Sequence, residues 1–181
     1  MKYILFIFSF IVVVIFSSCE SNTKEIQLKR IDSLLNVSNN LKADIDSIEF
    51  DSISSYYNLM LTFNKILIEK LHGFPEDSLT KDKLMKFGSV EKGFKKLPKK
   101  LAKYQKEIEF SLNQLEALRK DVVLGFVEDE KFEIYFDDEK KAIDNISQEI
   151  SKIIKLLNKH LDNYNILLPD VKFYVDSLDN N

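Results

Sequence analysis

Ten lysines stand between residues 81 and 106 against two acids, Asp82 and Glu91, while seven acids stand between 128 and 139 against Lys131. Blocks of like charge act through electrostatic attraction rather than bond-making. The basic block therefore marks Lys81, Lys83, Lys86, Lys92, Lys95, Lys96, Lys99 and Lys100 as a candidate patch for an anionic partner: an acidic protein, a cell-wall polymer or lipid headgroups. The plainer alternative is solvated helix surface, with acids favoured at a helix start. Catalytic material is scarce. The chain has two histidines and one cysteine, Cys19, and no histidine–carboxylate cluster from which a catalytic or metal site could be built. His72 reads as a helix C-terminal residue and His160 as a polar core position whose ring can reach the surface. Neither shows the convergent partners a metal ligand needs. Asp121 to Phe132 has the outline of a calcium loop, but Val123 and Gly125 fall at the third and fifth ligand positions and Phe132 at the twelfth, so calcium binding is not expected. Glycine-rich phosphate loops are absent. The expectation is no enzyme, no cofactor and no metal.

Cys19 has a different chemistry open to it. Met1-Lys2-Tyr3 carries one positive charge, Ile4 to Phe16 is apolar apart from Ser9, and Phe16-Ser17-Ser18-Cys19 follows. The apolar run is about thirteen residues, short of the roughly twenty that span a bilayer core, so residues 1–18 read as a signal peptide that is removed. The small pair before the only cysteine resembles the lipobox of bacterial lipoprotein precursors, with Phe16 where leucine is usual. That resemblance covers the first nineteen or twenty residues. It implies lipidation of Cys19 with diacylglycerol, cleavage just before it, and a mature protein held to an envelope membrane by its acyl chains. Acylation also removes a reactive thiol that has no disulfide partner in an oxidising compartment. Glu20 and Glu25 are too sparse for a surface-export signal, so the expected address is the outer membrane, facing the periplasm.

Asp-Ser-apolar occurs five times, at Asp32-Ser33-Leu34, Asp46-Ser47-Ile48, Asp51-Ser52-Ile53, Asp77-Ser78-Leu79 and Asp176-Ser177-Leu178. Composition alone gives about one. The tripeptide is similar to an O-glycosylation sequon of envelope proteins in some Gram-negative bacteria, and Ser78, at a loop, is the best acceptor. Two surface residues followed by a core residue is also ordinary helix patterning.

The elements that must position these residues are helices. Removing residues 1–18 from the 181 leaves 163, enough for one core, and four glycines and three prolines are few for a sheet protein. Net charge is −3, which argues against a nucleic-acid partner. Residues 19–39 read as an acylated tether, flexible over 20–24, leading into a first helix whose apolar positions are Leu28, Ile31, Leu34 and Leu35. The poor helix formers at 36–40 predict a break. Leu41, Ile45 and Ile48 resume the stripe, and a five-residue step leads to Ile53, Tyr56, Met60, Phe63, Leu67 and Leu71. His72, Gly73, Phe74 and Pro75 stop it. A short capped helix runs from Asp77 or Ser78 to Phe87, ended by Gly88, with irregular chain to Leu97. Pro98 opens the next helix, with Leu101, Tyr104, Ile108, Ser111, Leu115, Leu118 and Val122 on its seam. Gly125 ends it, and Asp129 caps a third helix with Phe136, Glu139, Ile143, Ile146, Ile150, Ile153, Leu157, His160 and Tyr164 in heptad steps until Pro169 stops it. A β-hairpin over 122–136 is the competing pattern.

The expected fold is thus all-α: an elongated antiparallel three-helix bundle with coiled-coil-like seams and a short helix in the 74–97 connection. Residues 40–168 form the bundle domain and 169–181 a C-terminal tail. The expected role is a membrane-anchored, non-catalytic module that binds another macromolecule. A passive spacer between membrane and wall is the alternative, with a periplasmic chaperone or inhibitor behind it. A binder should expose one apolar patch from the surplus at 59–68, which self-association would also bury.

Overall fold

The computed structural model describes the backbone of residues 2–71, 75 and 77–179, and side chains for 22–71, 75 and 77–178. Among the described residues every regular element is helical: α1 (Lys2–Asp46), α2 (Phe50–Lys70), α3 (Ser78–Leu124) and α4 (Asp129–Asp179). The chain is an all-α bundle of three helices, the first bent between α1 and α2. It forms two compact units. One comprises Met1–Lys42 and Glu107–Ile146, the other Ala43–Lys106 and Ser147–Asn181.

In the first unit, α1 buries Gln27, Ile31, Leu34, Ser38 and Leu41, α3 buries Ile108, Ser111, Leu115, Leu118 and Val122, and α4 buries Phe132, Phe136, Ile143 and Ile146. The steps of three and four are those of a heptad seam. Pairing directions follow from polar contacts between helices. Lys24 Nζ donates to the Val123 carbonyl at 2.6 Å and Arg119 Nε to Asp32 Oδ1 at 2.7 Å, so α1 and α3 are antiparallel. Gln27 Nε2 donates to Asp129 Oδ1 at 2.8 Å and Arg30 donates to both carboxylate oxygens of Glu133 from Nη1 and Nη2, so α1 and α4 are parallel. Arg30 also lies 5.2 and 4.3 Å over the rings of Phe132 and Phe136, where the ring faces attract a cation.

Among the described residues, the buried core of the second unit is more aromatic. Phe63 of α2 faces Phe87 of α3, and Tyr56, Phe94 and Tyr164 form a three-helix ring cluster with centroids 4.6 to 6.4 Å apart. Asn64 Nδ2 donates to Glu91 at 2.9 Å and Lys83 pairs with Asp170 at 2.6 Å, which sets α3 antiparallel to both α2 and α4. The bend lies in this unit. Ile48 N–H reaches the Ile45 carbonyl in a tightened last turn, the Ser47 hydroxyl covers the Asp44 carbonyl, and Ile53 N–H restarts the ladder on Glu49. The five-residue step from Ile48 to Ile53 is absorbed there, which returns Ile53 to the core.

Several expected breaks do not form. Residues 20–24 and 36–40 are helical within α1, and Ser38 is fully buried with its hydroxyl donating to the Leu34 carbonyl at 3.0 Å. The segment 89–97 is no connection, because α3 runs unbroken through Gly88, Gly93 and Pro98. Pro169 does not stop α4, which continues to Asp179 and converts most of the expected tail into helix. The reason is one of magnitude. A proline inside a helix costs about 3 kcal/mol and a glycine about 1. Burying Phe87, Val90, Phe94 and Leu97 before Pro98, or Val171 and Val175 beyond Pro169, returns roughly 1.5–3 kcal/mol per side chain, which only an unbroken seam can collect.

Other ends fall where the pattern put them. α2 ends at Lys70 with Leu71 extended, while His72, Gly73 and Phe74 lie outside the described residues. Asp77 caps α3, accepting from the backbone of Leu79 and Thr80. At the α3–α4 turn Gly125 takes a φ of +70°, its N–H bonds the Val122 carbonyl, and Phe126 N–H bonds that of Asp121. That pair of bonds is the Schellman ending, which needs a left-handed residue. The hairpin alternative falls with it. Asp129 begins α4 but spends its carboxylate on Gln27, and the first helical N–H to bond back is that of Phe132, on the Glu128 carbonyl.

Candidate functional site

α3 places the lysines. At 100° per residue, Lys92, Lys95, Lys96, Lys99, Lys103 and Lys106 fall within about 100° of arc, opposite the buried Phe94, Leu97, Leu101 and Ile108. All six are exposed and no acid shares their arc between 92 and 106. They run along about 21 Å of helix at 1.5 Å per residue. Lys92, Lys95, Lys96 and Lys99 make no ion pair among the described residues. The remaining members of the expected patch are placed otherwise. Lys83 is committed to Asp170 and Lys86 to Asp82, at 2.6 and 2.7 Å. Lys81 lies in the first turn of α3. Lys100 turns toward α4, where it contributes to holding Glu149 below the usual carboxylate range, behind the larger effect of the hydrogen bond from Lys152. Sequence reasoning leaves Lys103 and Lys106 out of the patch, although spacings of three and four from Lys99 already carry the signal.

The other candidates diverge. Cys19 lies in α1, and its side chain is outside those described. Ser78 is exposed at the first position of α3. His160 is half-buried on the α4 seam. The ring packs over Gly93, where an added Cβ would meet Cδ2 at 2.6 Å and Cε1 at 2.7 Å, and stands edge-on to Phe94 at 6.1 Å. Its Nδ1 is buried without a hydrogen-bond partner, and desolvation first, then Lys159, lowers its pKa.

The sequence pattern places Glu139 on a seam and gives no sign of what its charge meets there. In the structure Ser111 hydrogen-bonds it, while Oε2 is buried with no partner. Burial is the main cause of its raised pKa, with Asp138 adding repulsion and Ser111 opposing. The register set by Lys24–Val123 and Asp32–Arg119 brings Ser38 level with Ser111, so each helix of the first unit gives one polar residue to this layer.

Among the concavities of the second unit, one between α3 and α4 is lined by Lys83, Leu84, Asp170 and Tyr174. A groove of about 460 Å³ beside the bend has an apolar floor of Ile48, Ile53, Tyr56, Ile154, Leu157 and Leu161, with Asp44 and Glu49 on its rim. A cavity of about 60 Å³ lies beside His160 and Gly93. Among the described residues no group of three or more His, Cys, Asp or Glu could hold a metal ion, and no helix is long and apolar enough to cross a membrane. The surplus apolar residues of α2 form no single patch, since Leu61 and Ile68 lie on one flank of the buried Met60–Phe63–Leu67 stripe and Leu59 on the other.

The fold thus defines the class, an all-α helical bundle carrying a one-sided basic helix. Compared with family models, curated proteins and solved structures, the chain matches none.

Proposed function

We propose that the mature chain is a lipid-anchored lipoprotein of the bacterial envelope whose bundle is a non-catalytic binding module, with the α3 lysine stripe docking an anionic envelope polymer. The observation that carries the partner is the stripe: six exposed lysines in one arc with no acid among them. Lysine is a flexible point charge suited to a polyanion lying along the helix rather than to planar, bidentate recognition. A straight row without a central aromatic anchor lacks the hot spot of a tight protein interface. The anchor rests on Phe16-Ser17-Ser18-Cys19 and its resemblance to a lipobox.

The test titrates residues 20–181 with inorganic polyphosphate at several salt concentrations. Binding should weaken as salt rises, because exposed charges are screened beyond about 8 Å at physiological ionic strength. Lys92→Glu, Lys96→Glu, Lys99→Glu and Lys103→Glu together should lower affinity about tenfold or more, which is about 1.4 kcal/mol or more. Binding that ignores salt and these changes would leave the spacer reading, which the split apolar flanks of α2 favour. Intact mass of the native protein tests the acyl group on Cys19 and hexose-sized additions at Ser78 together.

A further inference from the structure

We infer that the α3–α4 turn is a membrane-seated surface, in which Val123, Leu124 and Phe126 rest in the lipid headgroup layer beside the acylated Cys19. The inference rests on the lipoprotein reading and extends it from an anchor to a contact made by the folded bundle. Phe126 is 75% exposed, and Leu124 and Val123 are about half exposed. In a Schellman ending, the residue at Phe126's position commonly folds back onto the helix it closes; here the ring is left outside.

The occupant follows from the chain's own geometry. Lys24 Nζ bonds the Val123 carbonyl at 2.6 Å, which ties this turn to the point where α1 joins the bundle. Cys19 lies five residues earlier in α1, about 7.5 Å along a helix and at most roughly 17 Å if extended. A lipid on Cys19 therefore brings the turn to the depth of the headgroups. Aromatic and aliphatic side chains at that depth add apolar burial to the acyl anchor. The neighbouring charges select the lipid. Glu128, Asp129 and Glu130 follow within four residues of Phe126, so a zwitterionic surface suits the turn better than an anionic one.

The chain contains no tryptophan, so Phe126→Trp introduces a single fluorescent reporter at an exposed position, and Phe110→Trp, at a side chain 61% exposed in the same unit, is the control. In phosphatidylcholine vesicles the acylated Phe126→Trp protein should show blue-shifted indole emission that is quenched by lipid brominated near the headgroup. The acylated Phe110→Trp protein should show neither effect. Emission that stays water-like in a Phe126→Trp protein shown by mass to be acylated overturns the membrane seat and leaves the lipoprotein reading standing. A mass without diacylglycerol on Cys19 overturns both. Equal shielding of the same indole in unacylated Phe126→Trp protein without lipid also overturns the proposal, by showing that a second copy covers the turn.

Discussion

Among the described residues, each unit holds one ionisable side chain on its seam with a buried atom left unsatisfied, an acid in one and a base in the other. In the first unit it is Glu139, bonded by Ser111 at one oxygen and buried without a partner at the other. In the second it is His160, wedged over Gly93 among Phe94 and its neighbours. The surroundings differ as well. The first unit sets Ser111 beside its acid and clamps its helices with peripheral bonds such as Arg30–Glu133, whereas the second packs a three-helix ring cluster. An unsatisfied buried polar atom costs about 1–3 kcal/mol, so each unit holds a weakness that the other lacks.

The largest expected effect is in the aromatic unit. Phe94→Ala should cost about 3–5 kcal/mol, because Phe94 is 2% exposed and contacts the Tyr56, Tyr164 and His160 rings. Hydrogen exchange should show protection lost in α2 and in α4 beyond Ser147. Unchanged protection there would mean the ring cluster does not carry the unit.

Next come the glycines of α3. Gly93→Ala should destabilise by about 1–3 kcal/mol by overpacking against His160, while Gly88→Ala, with nothing within 4 Å, should stabilise by roughly 0.5–1 kcal/mol. Urea midpoints check both signs. A neutral Gly93→Ala would show that the His160 ring moves aside freely.

The pH responses should be opposite. Glu139 binds its proton more tightly when folded, so its contribution to stability is present below the ordinary carboxyl range and is lost as pH rises through the raised value. His160 takes up a proton less readily when folded. Its contribution is present above the ordinary histidine range near 6.5 and is lost as pH falls from there through the lowered value. Glu139→Gln should remove the first slope and His160→Phe the second, as read by denaturant titration across pH. Slopes of the same sign would contradict the contrast.

The smallest effect belongs to the periphery. Arg30→Lys should lose the fork on Glu133 and weaken the stacking on Phe132 and Phe136, for about 0.5–1 kcal/mol. Thermal unfolding of the variant checks it.

The residues that are legible in the sequence and those that are not divide by a physical rule. Seams announce themselves. Leu101 to Val122 and Phe136 to Tyr164 fall on the expected faces, because a heptad pattern is a local record of which side a helix must bury. The Gly125 ending is equally plain, since a left-handed residue is a local need. Expected breaks fail where local propensity opposes long-range burial: at Asn36–Asn40, over Gly88–Leu97 and at Pro169. The lysine patch is half legible. The charge block is visible, but Lys83 counts in it only until the helices meet, because its partner Asp170 lies across on α4, whereas Lys86 pairs with Asp82 one turn away in its own helix.

Thus the amino-acid order alone determined the helical class, the buried faces, the C-terminal end of α3 and the resemblance at Cys19, all of which are set within a few turns of chain. Tertiary structure decided that α3 and α4 continue through their prolines, that Asp129 serves Gln27 rather than its own helix, and that Glu139 and His160 each leave an atom unpaired. Those outcomes depend on what packs across the seam, because burial between helices outweighs the roughly one to three kilocalories by which a local residue prefers to stop.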